Sequence, residues 1–293
     1  MEKERDIEIV ALEDKQDFIV YHYCTIETFK NILKSKVLWL SDLTDSNDDQ
    51  EVIRTFVNLW EGVKQKLLLT DLPVDLLNQV IKMIDSQYKT ELMADPPYGI
   101  CFCKKEDLLS QWKEYGGNTR GVSLGFDLNW FIRNGIRQQR PNPNSVQSNS
   151  IGCEEVIYHS EEFEQQMAEL CYEIIKQHGS ASWITHIRPT FKHYSGFVKN
   201  PTFEPEEEIR IVYYPTESVD FSVKDIDVSE LRTYAKKHYE IPWIKARSQA
   251  LKSICIGHGC DLTEEDIRRL LTENGVDANV DITESMCSYR PRN

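Results

Sequence analysis

Strand-like segments recur along the whole chain between helical patterns, and this interleaving constrains the fold more than any other feature. Residues 18–24 are rich in β-branched and aromatic residues, and residues 99–103 form a short apolar run. Along residues 208–213, Ile209, Ile211 and Tyr213 alternate with Glu208, Arg210 and Val212, which gives a strand pattern with one apolar side. Apolar residues at helical spacing run from Val52 to Leu67. Because strands and helices follow no strict βαβ alternation, the sequence predicts an α+β fold with a mixed, largely antiparallel sheet.

The 293 residues are expected to form a single domain. Residues 51–95 carry two helical patterns and are interpreted as a helical insertion, and residues 218–293 as a C-terminal β-α-β extension packed on the core. A helix is predicted over residues 229–238. Thr263 and Asp266 have the spacing of a capping box, which predicts the start of a further helix.

Composition restricts the possible partners. The formal net charge is -14, so constitutive, non-specific binding to nucleic acid is not expected. No apolar run is long enough to span a bilayer, the first residues lack a secretion signal, and no membrane partner is expected. The eight cysteines show no dense framework, which favours reduced thiols and a cytoplasmic location.

An acidic segment before residue 211 gives the sharpest functional signal. If it is a strand, Glu206, Glu208 and Arg210 point to one side, while Ile209 and Ile211 point to the core. Repulsion between close carboxylates raises the pKa of one of them, and the arginine favours the ionised form. A carboxylate beside a cleft can stabilise a developing cation. The alternative is a solvated acidic edge with a surface ion pair.

A histidine in the first predicted strand gives the second signal. His22 shares a strand face with Val20 and Cys24, which predicts a partly buried imidazole. Such a ring can hold a ribose hydroxyl, or it can be a hydrogen-bonded core residue. The neighbouring Tyr23 can stack on an aromatic ligand or pack in the core.

Neither candidate metal motif has the required spacing. Residues 41–51 are rich in oxygen ligands, but they lack the glycine and the spacing of a calcium-binding EF-hand loop. Acidic residues that complement a helix dipole explain them better. Cys255, His258 and Cys260 have no second pair of ligands at zinc spacing. No metal is therefore predicted.

Several short motifs are spread over most of the chain. They are Tyr21-His22-Tyr23-x-Thr25, Leu38-Trp39-Leu40-Ser41-Asp42, Asn47-Asp48-x-x-Glu51, Cys101-Phe102-Cys103, Gln111-Trp112-x-x-Tyr115 and Lys199-x-Pro201-x-Phe203-x-x-Glu206-x-Glu208-x-Arg210. In combination they resemble the bacterial domain-of-unknown-function family 2971 (DUF2971). Cys103 departs from the family pattern, which favours serine there. This resemblance by itself implies no activity.

The layout is also similar, more distantly, to that of ADP-ribosyltransferases, in which a His-Tyr-Thr strand, a helix and a serine-bearing strand precede a strand with a key glutamate. This resemblance implies an ADP-ribosyltransferase-like core that consumes NAD, relative to which the helices of residues 51–95 are an insertion. It implies that His22 holds ribose and that Tyr23 or Tyr115 contacts nicotinamide. It makes Glu208 catalytic and Glu206 the residue that orients the acceptor. The other expected contacts to the cofactor are Ser41, Asn47, Trp112 and Arg210.

The function expected from this resemblance is an ADP-ribosyltransferase or NAD glycohydrolase, acting as a bacterial toxin or anti-phage effector on an unknown protein or nucleic-acid acceptor. Two alternatives stay open. One is a metal-dependent nuclease or hydrolase, with ligands drawn from Asp48, Glu51, Glu206 and Glu208. The other is a non-catalytic binding or regulatory module. In such a module His22, Trp112 and Arg210 would only bind a ligand or pack in the core.

Overall fold

The structure is a computed structural model, and it describes residues 18–45, 51–94, 96–134, 150–182, 186–214, 223–226, 236–246 and 248–289. The helices in these ranges are α1 (Ile26–Ser35), α2 (Glu51–Leu67), α3 (Val74–Ala94), α4 (Leu109–Glu114), α5 (Leu128–Arg133), α6 (Glu161–His178), α7 (Arg188–Ser195) and α8 (Glu264–Glu273). The strands are β1 (Ile19–Cys24), β2 (Val37–Asp42), β3 (Tyr98–Cys103), β4 (Val122–Asp127), β5 (Ser150–Glu155), β6 (Ile157–Tyr158), β7 (Val198–Lys199), β8 (Glu208–Tyr214), β9 (Val223–Ile226), β10 (Lys236–Pro242), β11 (Ile244–Lys245), β12 (Ser248–Gln249), β13 (Leu251–Ile256) and β14 (Asp281–Glu284). None of these helices combines the length and the apolar character that crossing a membrane requires.

A ten-stranded sheet forms the centre of the fold. Its main path runs β14-β13-β4-β1-β3-β2-β10-β9, and β8 adds to β3 and carries β5 on its other side. The pairings within this sheet are antiparallel except that of β13 with β14, which are parallel and joined by α8. The predicted α+β fold with a largely antiparallel sheet is confirmed.

The sheet divides at β3. Strand β8 pairs with β3 along its whole length, so β1 and β2 share the opposite edge. Strand β1 pairs at one end of β3, where Tyr21 faces Cys103, and β2 pairs at the other end, where Ser41 faces Gly99. Between these contacts, residues 100–102 of β3 have no strand partner on that edge among the described pairings. The opening between β1 and β2 is called the wedge.

Two apolar cores cover the two faces of the sheet. One face, called the α1 face, packs against α1, α5 and α8 and carries Ile209 and Ile211. The other, called the α7 face, packs against α2, α6 and α7 and carries Val212. Residues paired directly across neighbouring strands project to the same face, so the pairing of Cys103 with Glu208 fixes which side chains share the α7 face.

Local sequence signals explain the ends of two helices. The hydroxyl of Thr25 accepts a hydrogen bond from the backbone N–H of Thr28 and starts α1, which ends at Lys36 in the left-handed conformation. Thr263 and Asp266 form the reciprocal capping box of α8, as their spacing predicts. These two helices place their apolar stripes on the α1 face.

Two predicted elements are wrong. Glu206 was expected on the strand with Glu208, but it ends a 3-10 helix over Pro201–Glu206. Proline fixes φ and lacks an N–H, so two prolines in this stretch favour a short helical turn over ladder pairing. Residues 236–238, predicted to end a helix, lie in β10, which pairs with β2. Residues 229–235 of that prediction lie outside the described residues.

Candidate functional site

Strand β8 delivers the acidic motif to the interior. The side chains of Glu208 and Arg210 both project to the α7 face, and they are only 4% and 1% exposed. The alternative of a solvated acidic edge with a surface ion pair is therefore wrong. Burial of both charges requires that each be paired and hydrogen-bonded within the protein.

The pairing involves a second cation, from β7. Nζ of Lys199 donates to Oε2 of Glu208 at 2.8 Å and to Oε2 of Glu206 at 2.6 Å. Nε of Arg210 donates to Oε1 of Glu208 at 2.5 Å, and its Nη2 donates to Oε2 at 3.2 Å. These four residues, called the Glu208 network, match two carboxylates with two cations.

The surroundings of Glu208 keep it ionised. Burial raises the pKa of this carboxyl, but the charges of Arg210 and Lys199, together with hydrogen bonds from Arg210 and Cys101, outweigh burial and lower the pKa to about 2. Glu208 is therefore a negatively charged group at neutral pH. Arg210 is held in turn, because its Nη1 donates to the carbonyl oxygen of Gly196 at 3.0 Å.

Sequence reasoning gives Lys199 no role, although it lies in one of the motifs. Its side chain is 6% exposed, and its ammonium lies 4.7 Å from the centre of the Phe203 ring. The available signal is its position: it follows the apolar Phe197-Val198 pair and precedes the acidic segment by a few residues. A lysine between apolar neighbours and two glutamates is a candidate for a buried ion pair.

Tyr115, at the end of α4, lies beside the Glu208 network. Its side chain is 37% exposed. Burial raises the pKa of its phenol, and the negative charge of Glu206 raises it further. A neutral, partly exposed aromatic ring therefore borders the charged network, and it is available for contact with a ligand.

Trp112 and Tyr23, two other expected contacts, are enclosed. The Trp112 ring is fully buried and packs edge-on against Tyr23 at 4.8 Å between ring centres. The indole N–H donates to Asp107 at 2.5 Å, and the hydroxyl of Tyr23 donates to the carbonyl oxygen of Lys105. Both rings face protein atoms, so they support α4 and offer no open ring face in this structure.

His22 lies across the sheet from Glu208. Tyr21, Cys103 and Glu208 are in register, so they share the α7 face, and the next residue, His22, projects to the α1 face. Its half-buried imidazole lies at the wedge, where Nδ1 is 3.2 Å from the carbonyl oxygen of Cys101. Burial lowers the pKa of this histidine, which favours the neutral ring. Only β3 separates it from the Glu208 network.

The α7 face is open beside the wedge. Ser41 and Cys101 are exposed there, and Cys101 is in register with Arg210. The surrounding protein still raises the pKa of the Cys101 thiol far above its usual range, first by burial and then through Glu208. Asn47, another expected contact, lies outside the described residues.

Much of this site lies in a segment that matches a protein-family model. Residues 111–211 match DUF2971, a family of proteins of unknown function. The predicted resemblance to DUF2971 is confirmed over this segment. No curated protein and no solved structure gives a significant match to the chain. The site residues within the DUF2971 segment are Trp112, Tyr115, Lys199, Glu206, Glu208 and Arg210.

The carboxylates of the DUF2971 segment do not form a metal site with other described residues. Among the described residues, no group of three His, Cys, Asp or Glu side chains is arranged to hold a metal ion. The ammonium of Lys199 lies between Glu206 and Glu208, where a shared cation would bind. Asp48, a proposed ligand of the metal-dependent alternative, lies outside the described residues.

Proposed function

We propose that the protein is an NAD-consuming enzyme of the ADP-ribosyltransferase type, and that NAD binds in the wedge. The observation that carries the proposal is the division of the sheet at β3 beside an ionised, buried Glu208. A divided sheet leaves an opening lined by strand edges, and a fixed negative charge next to it is suited to stabilise a developing cation.

In this proposal the bond between the ribose C1′ and the nicotinamide nitrogen breaks, and its electron pair leaves with nicotinamide. Positive charge then develops on the ribose, and the Glu208 carboxylate stabilises it. An acceptor oxygen or nitrogen, or water, attacks C1′ and releases a proton to solvent. Because the pKa of Glu208 is about 2, the required negative charge is present throughout the physiological range.

The cations of the network have a positioning role. Arg210 and Lys199 hold both oxygens of Glu208 in fixed positions and keep the side chain ionised. Their positive charges also weaken the field of the carboxylate, so substrate binding must compete with these ion pairs. Lys199 contacts Glu206 as well, so an acceptor held by Glu206 would affect Glu208 directly.

His22 is suited to bind ribose from the other side of the wedge. The carbonyl oxygen of Cys101 only accepts hydrogen bonds, so Nδ1 of His22 is the donor in their contact. In the neutral ring, which burial favours, Nε2 is then an acceptor for a ribose hydroxyl. Tyr115 borders the network with an accessible aromatic surface.

The test is incubation of the full chain with NAD and quantification of released nicotinamide by chromatography. We expect release by the wild type and a loss of at least about a hundredfold in Glu208→Gln, the scale seen when one preorganised charge-stabilising group is removed. The matched control is Glu155→Gln, because Glu155 is a half-exposed glutamate on the neighbouring β5. Release that is unchanged by Glu208→Gln refutes the proposed role.

The pairing of Glu208 with two cations favours a second candidate, a ligand-binding module without turnover. In that case the Glu208 network only stabilises the structure on the α7 face, and a nucleotide binds without reacting. A rise in melting temperature with NAD, without nicotinamide release, would identify this function. The toxin or anti-phage role belongs to the first candidate only, because it depends on consumption of NAD.

A further inference from the structure

A patch of four side chains borders the wedge, and three of them have no role in the proposed function. On β2, Trp39 and Ser41 project to the α7 face, and on β10 they are paired with Glu240 and His238, respectively. These four residues are called the Trp39 patch. Ser41 is in register with Gly99 on β3, and Trp39 would come opposite Cys101 if the two strands had not already separated there. The patch therefore forms the β2 side of the wedge.

The indole of Trp39 is unusually open for a residue of an inner strand. It is 46% exposed, because at this position β2 pairs with β10 and has already separated from β3. Its ring centre lies 4.5 Å from that of His238, which is only 4% exposed. The imidazole thus supports a large aromatic surface that remains accessible, and such a surface is favourable for stacking of a planar ring.

His238 leaves one nitrogen unsatisfied. Its Nε2 lies 3.2 Å from Oε1 of Glu240, and since a carboxylate accepts, Nε2 is the donor. Nδ1 is then an acceptor in the neutral ring. It is shielded from solvent and has no hydrogen-bond partner within the described part of the chain. A buried acceptor without a donor is unfavourable, so a ligand N–H that reached this nitrogen would be stabilised.

We propose that the Trp39 patch binds a planar heteroaromatic ring that carries an amide or amine N–H, namely the nicotinamide or the adenine ring of the dinucleotide. The ring stacks on the indole of Trp39, and its N–H group donates to Nδ1 of His238. The choice of a dinucleotide rests on the proposed function. The ring chemistry rests on the patch alone, because it follows from an open indole next to an unpaired acceptor.

The test is isothermal titration of the full chain with nicotinamide and, separately, with AMP. The variants are Trp39→Ala, which removes the stacking surface, and Trp39→Phe, which keeps an aromatic ring at a half-exposed position. We expect at least one probe to bind the wild type and to lose about tenfold in affinity with Trp39→Ala, the scale of one stacking contact. Trp39→Phe is expected to stay within about threefold of the wild type.

The two probes identify the ring. An effect on nicotinamide assigns the patch to that ring, and an effect on AMP assigns it to adenine. If the wild type binds neither probe, or if Trp39→Ala binds within about twofold of the wild type, the inference is overturned. If a ring binds through Trp39 but NAD is not cleaved, the proposed transferase activity is refuted and the proposed role of the Trp39 patch is supported. If NAD is cleaved equally well by the wild type and by Trp39→Ala, only the proposed role of the Trp39 patch is refuted.

Discussion

Glu208→Gln should change the pH dependence of stability in a way that only a buried, ionised Glu208 produces. The ordinary pKa of a glutamate is 4.5, and the folded protein lowers that of Glu208 to about 2. A carboxyl with a lowered pKa in the folded state contributes stability that is complete above its unfolded pKa. That contribution is lost as the pH falls through the folded pKa. The relevant window is therefore about pH 4.5 to 2.

The magnitude follows from the same two values. A shift from 4.5 to about 2 corresponds to about 3 kcal/mol of folding free energy at pH 7. Removing one partner from a buried ion pair destabilises by about 3–5 kcal/mol, which agrees with that figure. At pH 3 about 2 kcal/mol of the difference should have disappeared, because Glu208 is then protonated in the unfolded chain.

The assay is urea unfolding of the wild type and Glu208→Gln, followed by circular dichroism at pH 7, 5, 4 and 3. The difference in the free energy of unfolding between the two proteins excludes the contribution of every group that titrates alike in both. Glu155→Gln is again the control, because Glu155 forms a half-exposed ion pair with Lys104 and should change stability by less than about 1 kcal/mol. A difference that stays constant from pH 7 to pH 3 would show that Glu208 is not held ionised by the network.

Two further predictions concern other parts of the fold. Cys101 should resist alkylation by iodoacetamide at pH 7.4 despite its exposure, because burial and the Glu208 charge raise its pKa and suppress the reactive thiolate. Peptide mass spectrometry measures the modification, and labelling as fast as in urea would contradict the prediction. Thr263→Ala should lower the free energy of unfolding by about 1 kcal/mol, because α8 loses its capping box. Chemical denaturation measures this loss, and an unchanged midpoint would show that the cap is dispensable.

The sequence predicts local structure where the signal lies within one segment. The cap at Thr25 and the capping box at Thr263 mark helices that the structure contains. The alternation along β8 correctly separates Glu208 and Arg210 from the core residues Ile209 and Ile211. In each case the interacting atoms are close in sequence, so periodicity and capping chemistry are sufficient.

The site required information that one segment does not contain. Alternation shows which residues of a strand share a face, but the register between strands decides whether His22 faces Glu208, and it places the two on opposite faces. Lys199 resembles a surface lysine until the fold brings it between two carboxylates. The prolines before Glu206 interrupt the strand pattern, an effect that simple alternation ignores.

The division of the sheet at β3 has a consequence for how binding preference can change. The opening results from the path of the main chain. Helix α1 connects the parallel strands β1 and β2, and these two strands pair with opposite ends of the same edge of β3. Trp39 lies on its rim, is 46% exposed and is not part of the apolar core of the α1 face. Substitutions at the rim can therefore reshape what enters, while the scaffold keeps its stability and its connectivity.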